Sequence, residues 1–165
     1  MLRLLLLSNS RDAEGRYLHH AREALAERLG GARHALFVPW AGVTVSWDDY
    51  AALAGEAFAA VGCTLDSVHR MRDPVAAARD AAAIVVGGGN TFALLARLHA
   101  TGLLDAVRDR ARAGAPYVGW SAGAVVACPT IRTTNDMPIV EPPSLAALGL
   151  VPFQINAHFT DAHPP

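Results

Sequence analysis

The chain has 165 residues, 52% of them hydrophobic and 18% charged, which suits one folded domain with an apolar core and excludes a disordered chain. With 14 basic and 15 acidic residues and no long basic run, the sequence does not predict a basic surface for binding nucleic acid or an anionic membrane. Cys63 and Cys128 form neither a C-x-x-C pair nor a zinc spacing with histidines, which favours a reducing compartment over a disulfide framework.

Short apolar runs alternate with stretches of helical periodicity through the first half of the chain. Residues 3–7 are too few for a signal-peptide core or a membrane span, so we interpret them as a buried strand and expect a cytoplasmic protein. Runs bounded by Gly or Pro predict strands, and apolar residues at helical spacing predict helices. The predicted order is strand 3–7, helix 18–29, strand 34–38, helix 47–61, strand 64–68, a short helix begun by Asp73 and Pro74, and strand 82–86.

The alternation continues to the middle of the second half. A helix begins at Thr91 and runs through Leu98, a second covers 103–113, strand 116–119 follows, and a short helix covers 122–128. Prolines make 130–143 an irregular loop or hairpin, and 150–155 is predicted as a last apolar strand. This pattern predicts an α/β fold, a three-layer α/β/α domain with a mostly parallel sheet.

Ser121 lies where the predicted strand ends and the next helix begins. Gly119 and Gly123 flank it at two positions on either side, the spacing of a nucleophile elbow, in which small residues permit a sharp turn that exposes the hydroxyl. The same pentad also fits a plain strand-to-helix turn in a chain rich in Gly and Ala. Ser121 is therefore the candidate nucleophile, with a structural turn as the alternative.

A serine needs a base to remove its proton, and histidine suits that task near neutral pH. His158 follows the predicted strand 150–155, and ligands bind beyond the carboxyl ends of strands in open α/β sheets. The alternative for His158 is a cap at the end of that strand. The remaining histidines are predicted to be solvated or structural: His19, His20, His34, His69, His99 and His163.

The acid behind the histidine and the oxyanion hole complete the candidate machinery. Asp136 lies in a polar loop from which it can reach the strand ends, whereas Asp161 is too close in sequence to His158. Ordinary turn formation before Pro138 is the alternative role of Asp136. The oxyanion donors are predicted to be the N–H of Ala122 and an N–H of the glycine turn, Gly88 or Gly89, with Gly88 preferred.

A phosphate cradle is the other function that a glycine turn can serve. Residues 87–89 lack both the G-x-G-x-x-G spacing and a following Lys-Ser/Thr, so nucleotide binding is disfavoured. We predict no cofactor and no metal.

Five segments together resemble the peptidase E group of serine-peptidase family S51, the aspartyl dipeptidases. The match extends over essentially the whole chain, and the segment 128–140 is the most specific part of it. The segments are residues 5–10, 87–92, 119–124, 128–140 and 154–159. The resemblance implies a metal-free cytoplasmic serine dipeptidase that cleaves Asp-Xaa dipeptides, with a fold like that of the class I glutamine amidotransferases. It places Ser121 as nucleophile, His158 as base and Asp136 as acid.

The resemblance also raises alternatives for the acid, the substrate and the activity. Members of the family continue beyond the equivalent of His158, in a segment with basic residues suited to substrate carboxylates and a glutamate able to orient the histidine. We therefore expect one catalytic domain over residues 1–165 without that segment. The alternative functions are a hydrolase of β-aspartyl or longer Asp-containing peptides, or a catalytically silent module that binds a ligand or a partner.

An N-terminal aspartate presents a β-carboxylate, for which arginine is the matching cation. Arg132 is the one arginine in the specific segment and is the candidate ligand, together with Asn90, while a solvated loop position is the alternative for Arg132. The expected partner is a small peptide, with no nucleic acid and no membrane, and a homodimer is left open.

Overall fold

One parallel sheet of five strands, in the order β1-β5-β4-β2-β3, organises the computed structural model, which describes residues 1–159. The strands are β1 (Leu4–Leu7), β2 (His34–Val38), β3 (Thr64–Ser67), β4 (Ile84–Val86) and β5 (Tyr117–Trp120). The helices are α1 (Arg22–Leu29), α2 (Trp47–Ala59), α3 (Pro74–Asp80), α4 (Thr91–Thr101), α5 (Leu103–Arg112) and α6 (Ala122–Val125). Among residues 1–159, none of the helices combines the length and the apolar character that crossing a bilayer requires.

The central strands β2, β4 and β5 bury side chains on both faces, which explains their largely apolar sequences, whereas β1 is half-buried and β3 is partly exposed. In β2, Leu36 and Val38 pack in the cluster that includes residues of α3 to α6, whereas Ala35 and Phe37 pack in the cluster formed with α1 and α2. Helices thus cover the sheet on both sides. The predicted three-layer α/β/α architecture is confirmed.

The register of neighbouring strands brings the carboxyl ends of β1, β4 and β5 to one place. Leu7 of β1 lies opposite Trp120 of β5, and Val86 of β4 lies opposite Gly119 of the same strand. Because these strands are parallel, the segments that follow β1, β4 and β5 emerge at the same edge of the sheet. That edge is where the candidate site residues were expected.

Most predicted bounds agree with the structure to within three residues, as for the short helix predicted over 122–128, which ends at Val125, but two elements differ more. The helix predicted over 18–29 begins at Arg22, because Leu18 has a φ of 51° and a 3-10 turn over His19–Ala21 precedes it. The strand predicted over 150–155 is wrong, since this segment has no strand conformation. Leu150 is buried and its N–H donates to the Ala127 carbonyl at 2.8 Å, so the segment packs against the chain after α6 instead of pairing with a sheet edge.

Candidate active site

Ser121 lies between β5 and α6 with φ 50° and ψ −115°, a conformation that residues with a Cβ rarely adopt. Backbone strain of this kind costs on the order of 1–3 kcal/mol and persists only where the surroundings hold it. Here the Ser121 N–H donates to the Leu7 carbonyl at 3.0 Å, and the buried Tyr117 hydroxyl donates to the Gly123 carbonyl at 2.7 Å. These two bonds fix the turn on both sides of the serine.

The two flanking glycines are required by the packing of the elbow. A Cβ on Gly119 would overlap the Gly123 carbonyl oxygen, and a Cβ on Gly123 would overlap the Val86 carbonyl oxygen of β4. Helix α6 therefore lies so close to the sheet that no side chain fits between them. The Gly-x-Ser-x-Gly spacing is thus a steric consequence of a helix starting directly above two central strands.

The Oγ of Ser121 lies 2.7 Å from Nε2 of His158. This distance is within the range over which a general base accepts a proton. The backbone N–H of His158 donates to the Ser8 hydroxyl at 2.8 Å, so the segment after β1 also positions the histidine. The structure therefore brings together the serine and the histidine that the sequence proposed as nucleophile and base.

Side-chain hydrogen bonds hold the segment that carries His158 in place of the predicted strand. Thr133 Oγ1 donates to the Ile155 carbonyl at 2.6 Å, and Asn135 Nδ2 donates to Asn156 Oδ1 at 3.1 Å. Gln154 adds a third bond to Thr130 Oγ1 at 2.8 Å. The polar loop after α6 therefore holds the segment that carries the histidine.

Asp136 occupies a position near the serine but has another partner. Its Oδ2 accepts hydrogen bonds from the N–H and the hydroxyl of Thr91, at 2.7 and 2.5 Å, at the first residue of α4. A carboxylate is favoured there because the first N–H groups of a helix have no partner within the helix. Within residues 1–159 no hydrogen bond joins Asp136 to His158, so their pairing stays a prediction, and Asp161 and His163 lie outside the described residues.

Gly88 is packed against the elbow. A Cβ added to it would lie 2.9 Å from Ser121 Cβ, and within residues 1–159 the N–H groups of Gly88 and Ala122 donate to no backbone carbonyl. Tyr50 donates to the Gly88 carbonyl at 2.9 Å, and Trp120 Nε1 donates to the Tyr50 hydroxyl at 3.2 Å. Two buried aromatic residues thus fix the glycine turn beside the serine.

The two residues predicted to bind substrate lie in different surroundings. Asn90 is 9% exposed; its Oδ1 accepts from the Ala93 N–H at 3.0 Å, and its Nδ2 donates to the Met137 carbonyl at 2.8 Å. Both ends of its amide therefore serve the start of α4 and the neighbouring loop. Arg132 is exposed, and its backbone N–H lies 3.4 Å from Thr130 Oγ1. Substrate contacts by either residue stay predictions.

A cleft of about 340 Å³ lies over the serine, and it contains a residue that the sequence reasoning did not single out. That residue is Arg11, which follows β1 and lines the cleft with Ser121, His158 and Asp136. Ligands in open α/β sheets bind beyond the carboxyl ends of the strands, and β1 ends at Leu7, shortly before Arg11. The residues after β1 could therefore have indicated Arg11 as a candidate from the sequence.

A second set of serine, histidine and aspartate lies elsewhere. Ser67 Oγ is 2.6 Å from His69 Nδ1, and His69 Nε2 is 3.0 Å from Asp48 Oδ1. Ser67 is only 2% exposed at the end of β3, so a substrate carbonyl has no access to its hydroxyl. The structural role predicted for His69 agrees with this set of contacts.

The sequence model of Peptidase family S51 matches residues 4–165 of the chain. A Peptidase E from Escherichia coli O6:K15:H31 (strain 536 / UPEC) is 52% identical over 163 residues, which are 99% of this chain and 71% of that protein. A Peptidase E from Salmonella newport (strain SL254) is 53% identical over 163 residues, with the same shares of 99% and 71%.

Solved structures have the same architecture. A crystal structure of a protein from Listeria monocytogenes EGD-e, described as a Peptidase E, superposes with a TM-score of 0.75 at 27% identity, over 93% of this chain and 77% of that one. The crystal structure of a peptidase from an acI-B1 Actinobacterium gives 0.62 at 19% identity, over 89% and 64%, and shows the fold alone. The glutamine amidotransferase-like fold expected from the sequence is confirmed.

Proposed function

This chain belongs to peptidase family S51, and we propose that it is a serine dipeptidase that hydrolyses Asp-Xaa dipeptides, those with an N-terminal aspartate. The observation that carries the proposal is the 2.7 Å contact between Ser121 Oγ and His158 Nε2 at a strained strand-to-helix turn. A serine in this conformation has its hydroxyl exposed above the sheet and its base already in reach.

The proposed reaction is an acyl transfer in two halves. His158 Nε2 accepts the Ser121 proton while Oγ attacks the carbonyl carbon of the Asp-Xaa bond. When the C–N bond breaks, the imidazolium returns that proton to the leaving amine, and the aspartyl group remains as an ester on Ser121. Water then gives a proton to His158 and attacks the ester. When the ester C–O bond breaks, the imidazolium returns that proton to Ser121 Oγ, which releases aspartate and restores both the serine and the neutral histidine.

The negative charge that forms on the carbonyl oxygen in each half needs donors that are already oriented. We propose the N–H groups of Gly88, which packs against Ser121, and of Ala122, which directly follows it; neither has a backbone acceptor within residues 1–159. A donor of this kind is worth about 3 kcal/mol in the transition state. The hydroxyl of Tyr50 supports the turn that contains Gly88.

Asp136 is the proposed acid partner of His158, from the wall of the same cleft. We expect Asp136→Asn to lower kcat about 100-fold, since the carboxylate that stabilises the imidazolium is removed. Thr91→Val is the matched control, because it removes one hydrogen bond to Asp136 and keeps the charge. If the two variants lose similar stability and both keep their kcat, Asp136 serves only to cap α4.

A panel of dipeptides tests the proposed substrate class. We expect hydrolysis of α-linked Asp-Leu and Asp-Ala, with slow or no hydrolysis of Asn-Leu, β-linked Asp-Leu and Asp-containing tetrapeptides, followed by chromatography of the products. Preferential cleavage of the β-linked dipeptide or of the tetrapeptides would identify the related hydrolase instead. Absence of turnover across the panel would favour a silent binding module.

We also propose that the protein works in the cytoplasm. Cys63 and Cys128 are buried and unpaired, as expected in a reducing compartment. Burial raises the pKa of both thiols, and the Asp66 carboxylate adds to the effect at Cys63. Neither thiol therefore has the thiolate character of a reactive cysteine.

A further inference from the structure

Arg11 lies on a loop that is held rigidly next to the proposed nucleophile. The loop follows β1, whose last carbonyl, that of Leu7, accepts the Ser121 N–H. Arg11 and Tyr17 form an antiparallel bridge across the loop, and the Leu18 N–H donates to the Ser10 carbonyl at 2.6 Å. The sheet therefore fixes the start of this loop relative to Ser121, and contacts within the loop hold the backbone of Arg11.

The acidic residues of this loop are already paired with another arginine. Asp12 accepts hydrogen bonds from the N–H groups of Glu14 and Arg16 and forms an ion pair with the Arg16 guanidinium at 2.8 Å. Glu14 pairs with the same guanidinium at 3.1 Å. Within residues 1–159, Arg11 forms no ion pair, so its positive charge is not neutralised by the loop.

The side chain of Arg11 is oriented by two contacts that leave most of its donors unused. Its NH1 donates to the Gly15 carbonyl at 2.7 Å, and its guanidinium carbon lies 5.5 Å from the centre of the Tyr17 ring. A guanidinium has five N–H donors in a planar fork that matches a carboxylate. Arg11 thus presents an oriented carboxylate site on the wall of the cleft that contains Ser121.

The positive charge in this cleft is complementary to the side chain of an N-terminal aspartyl residue. Arg11 lines the same cleft of about 340 Å³ as Ser121, whereas Asp136 in the wall of that cleft is assigned to His158. The β-carboxylate of the aspartyl residue is only a few bonds from the carbonyl carbon that Ser121 attacks. We propose that Arg11 binds the β-carboxylate of the N-terminal aspartate and thereby determines the acidic preference, an inference that rests on the proposed function.

Kinetics with anilides isolate this contact, because Asp-p-nitroanilide has a β-carboxylate and no C-terminal one. We expect Arg11→Gln to lower kcat/KM for this substrate about 10- to 100-fold, mainly through KM, and to leave Asn-p-nitroanilide unaffected. Arg11→Lys should recover part of the loss, since it keeps the charge without the fork. Arg22→Gln is the control: it removes one positive charge from an exposed residue of α1 and should change nothing.

Two results would overturn the assignment. One is an unchanged preference for Asp-p-nitroanilide over Asn-p-nitroanilide in Arg11→Gln. The other is a loss confined to Asp-Leu and absent with the anilide, because Arg11 would then bind the C-terminal carboxylate.

Binding measurements separate this inference from the proposed function. Calorimetry of Asp-Leu with Ser121→Ala protein, with and without Arg11→Gln, needs no turnover and should show a weakening of at least tenfold. If the wild-type protein hydrolyses none of the substrates, the proposed function fails, whereas the calorimetry still decides on Arg11. An equal Kd in the two proteins refutes the β-carboxylate contact.

Discussion

Replacement of Ser121 with alanine is expected to lower kcat/KM for Asp-p-nitroanilide on the order of 10⁴-fold or more, because no ester can then form. The fold should remain, since the hydroxyl contacts only His158 among the described hydrogen bonds and alanine keeps the Cβ. Turnover measured in the plate reader, together with a thermal melt followed by circular dichroism, tests both parts of this statement. Activity within tenfold of the wild type would rule out Ser121 as the nucleophile.

Ser67 provides a matched control within the same chain. It also contacts a histidine that pairs with an aspartate, but Ser67 is only 2% exposed and does not line the cleft. We expect Ser67→Ala to keep kcat/KM within about threefold of the wild type while losing about 1 kcal/mol of stability, because His69 Nδ1 loses its hydrogen-bond partner. Comparison of the two variants thus shows whether activity requires an accessible serine beside the oxyanion donors, or only a serine in contact with a histidine and an aspartate.

Covalent labelling tests the same assignment by mass. A serine-directed phosphonate should add one adduct to the wild-type protein, at Ser121, and none to Ser121→Ala. A catalytically silent module of this fold would give no adduct with either protein. This outcome would leave the fold unchanged and remove the enzymatic function.

The central strands of the sheet were predictable because they are buried on both faces. Strand β2 has an apolar side chain at nearly every position and is followed by Pro39, and its predicted and observed bounds agree. The elbow was predictable for a related reason: α6 packs so closely on β5 and β4 that only glycine fits at positions 119 and 123. A buried strand gives a run of apolar residues, and close backbone contact gives glycines at a fixed spacing, so both can be recognised in a sequence.

The way His158 is held was not predictable from periodicity. Residues 150–155 resemble a strand in composition, yet Phe153 is 55% exposed and the segment is tied to the loop by hydrogen bonds such as Thr133 to Ile155. These contacts join residues 22 positions apart through single polar side chains, which produce no repeating pattern. His158 therefore lies beyond the carboxyl edge of the sheet, as predicted, but hydrogen bonds to the polar loop hold it there instead of a strand.

The positions of Asp136 and Arg11 depend on contacts between residues that are even further apart in the sequence. The carboxylate of Asp136 caps α4 through Thr91, 45 positions earlier, while the local sequence before Pro138 is typical of a turn. Arg11 enters the cleft only because β1 lies beside β5 in the sheet, although the two strands are separated by most of the chain. Strand order is the information that a single sequence supplies least directly.

Gly123→Ala is expected to cost about 3 kcal/mol of stability or more, because the added methyl group has no room against the sheet. The new Cβ would overlap the Val86 carbonyl, which belongs to a central strand and cannot move aside as a side chain would. Helix α6 would have to rise from the sheet, and Ser121 and Ala122 would move with it. We therefore expect a midpoint of thermal unfolding lower by about 10 °C and a large loss of kcat in the fraction that folds.

Gly55→Ala is the control that makes this prediction specific to packing. Gly55 lies inside α2, and a Cβ added there would meet nothing within 4 Å. Alanine should stabilise that position by about 0.5–1 kcal/mol, since glycine loses more conformational freedom on folding. Urea unfolding of both variants measures the difference, and their m values should equal that of the wild type. Equal stability of Gly123→Ala and the wild type would show that α6 can leave the sheet freely, and the strained Ser121 would then have no rigid support.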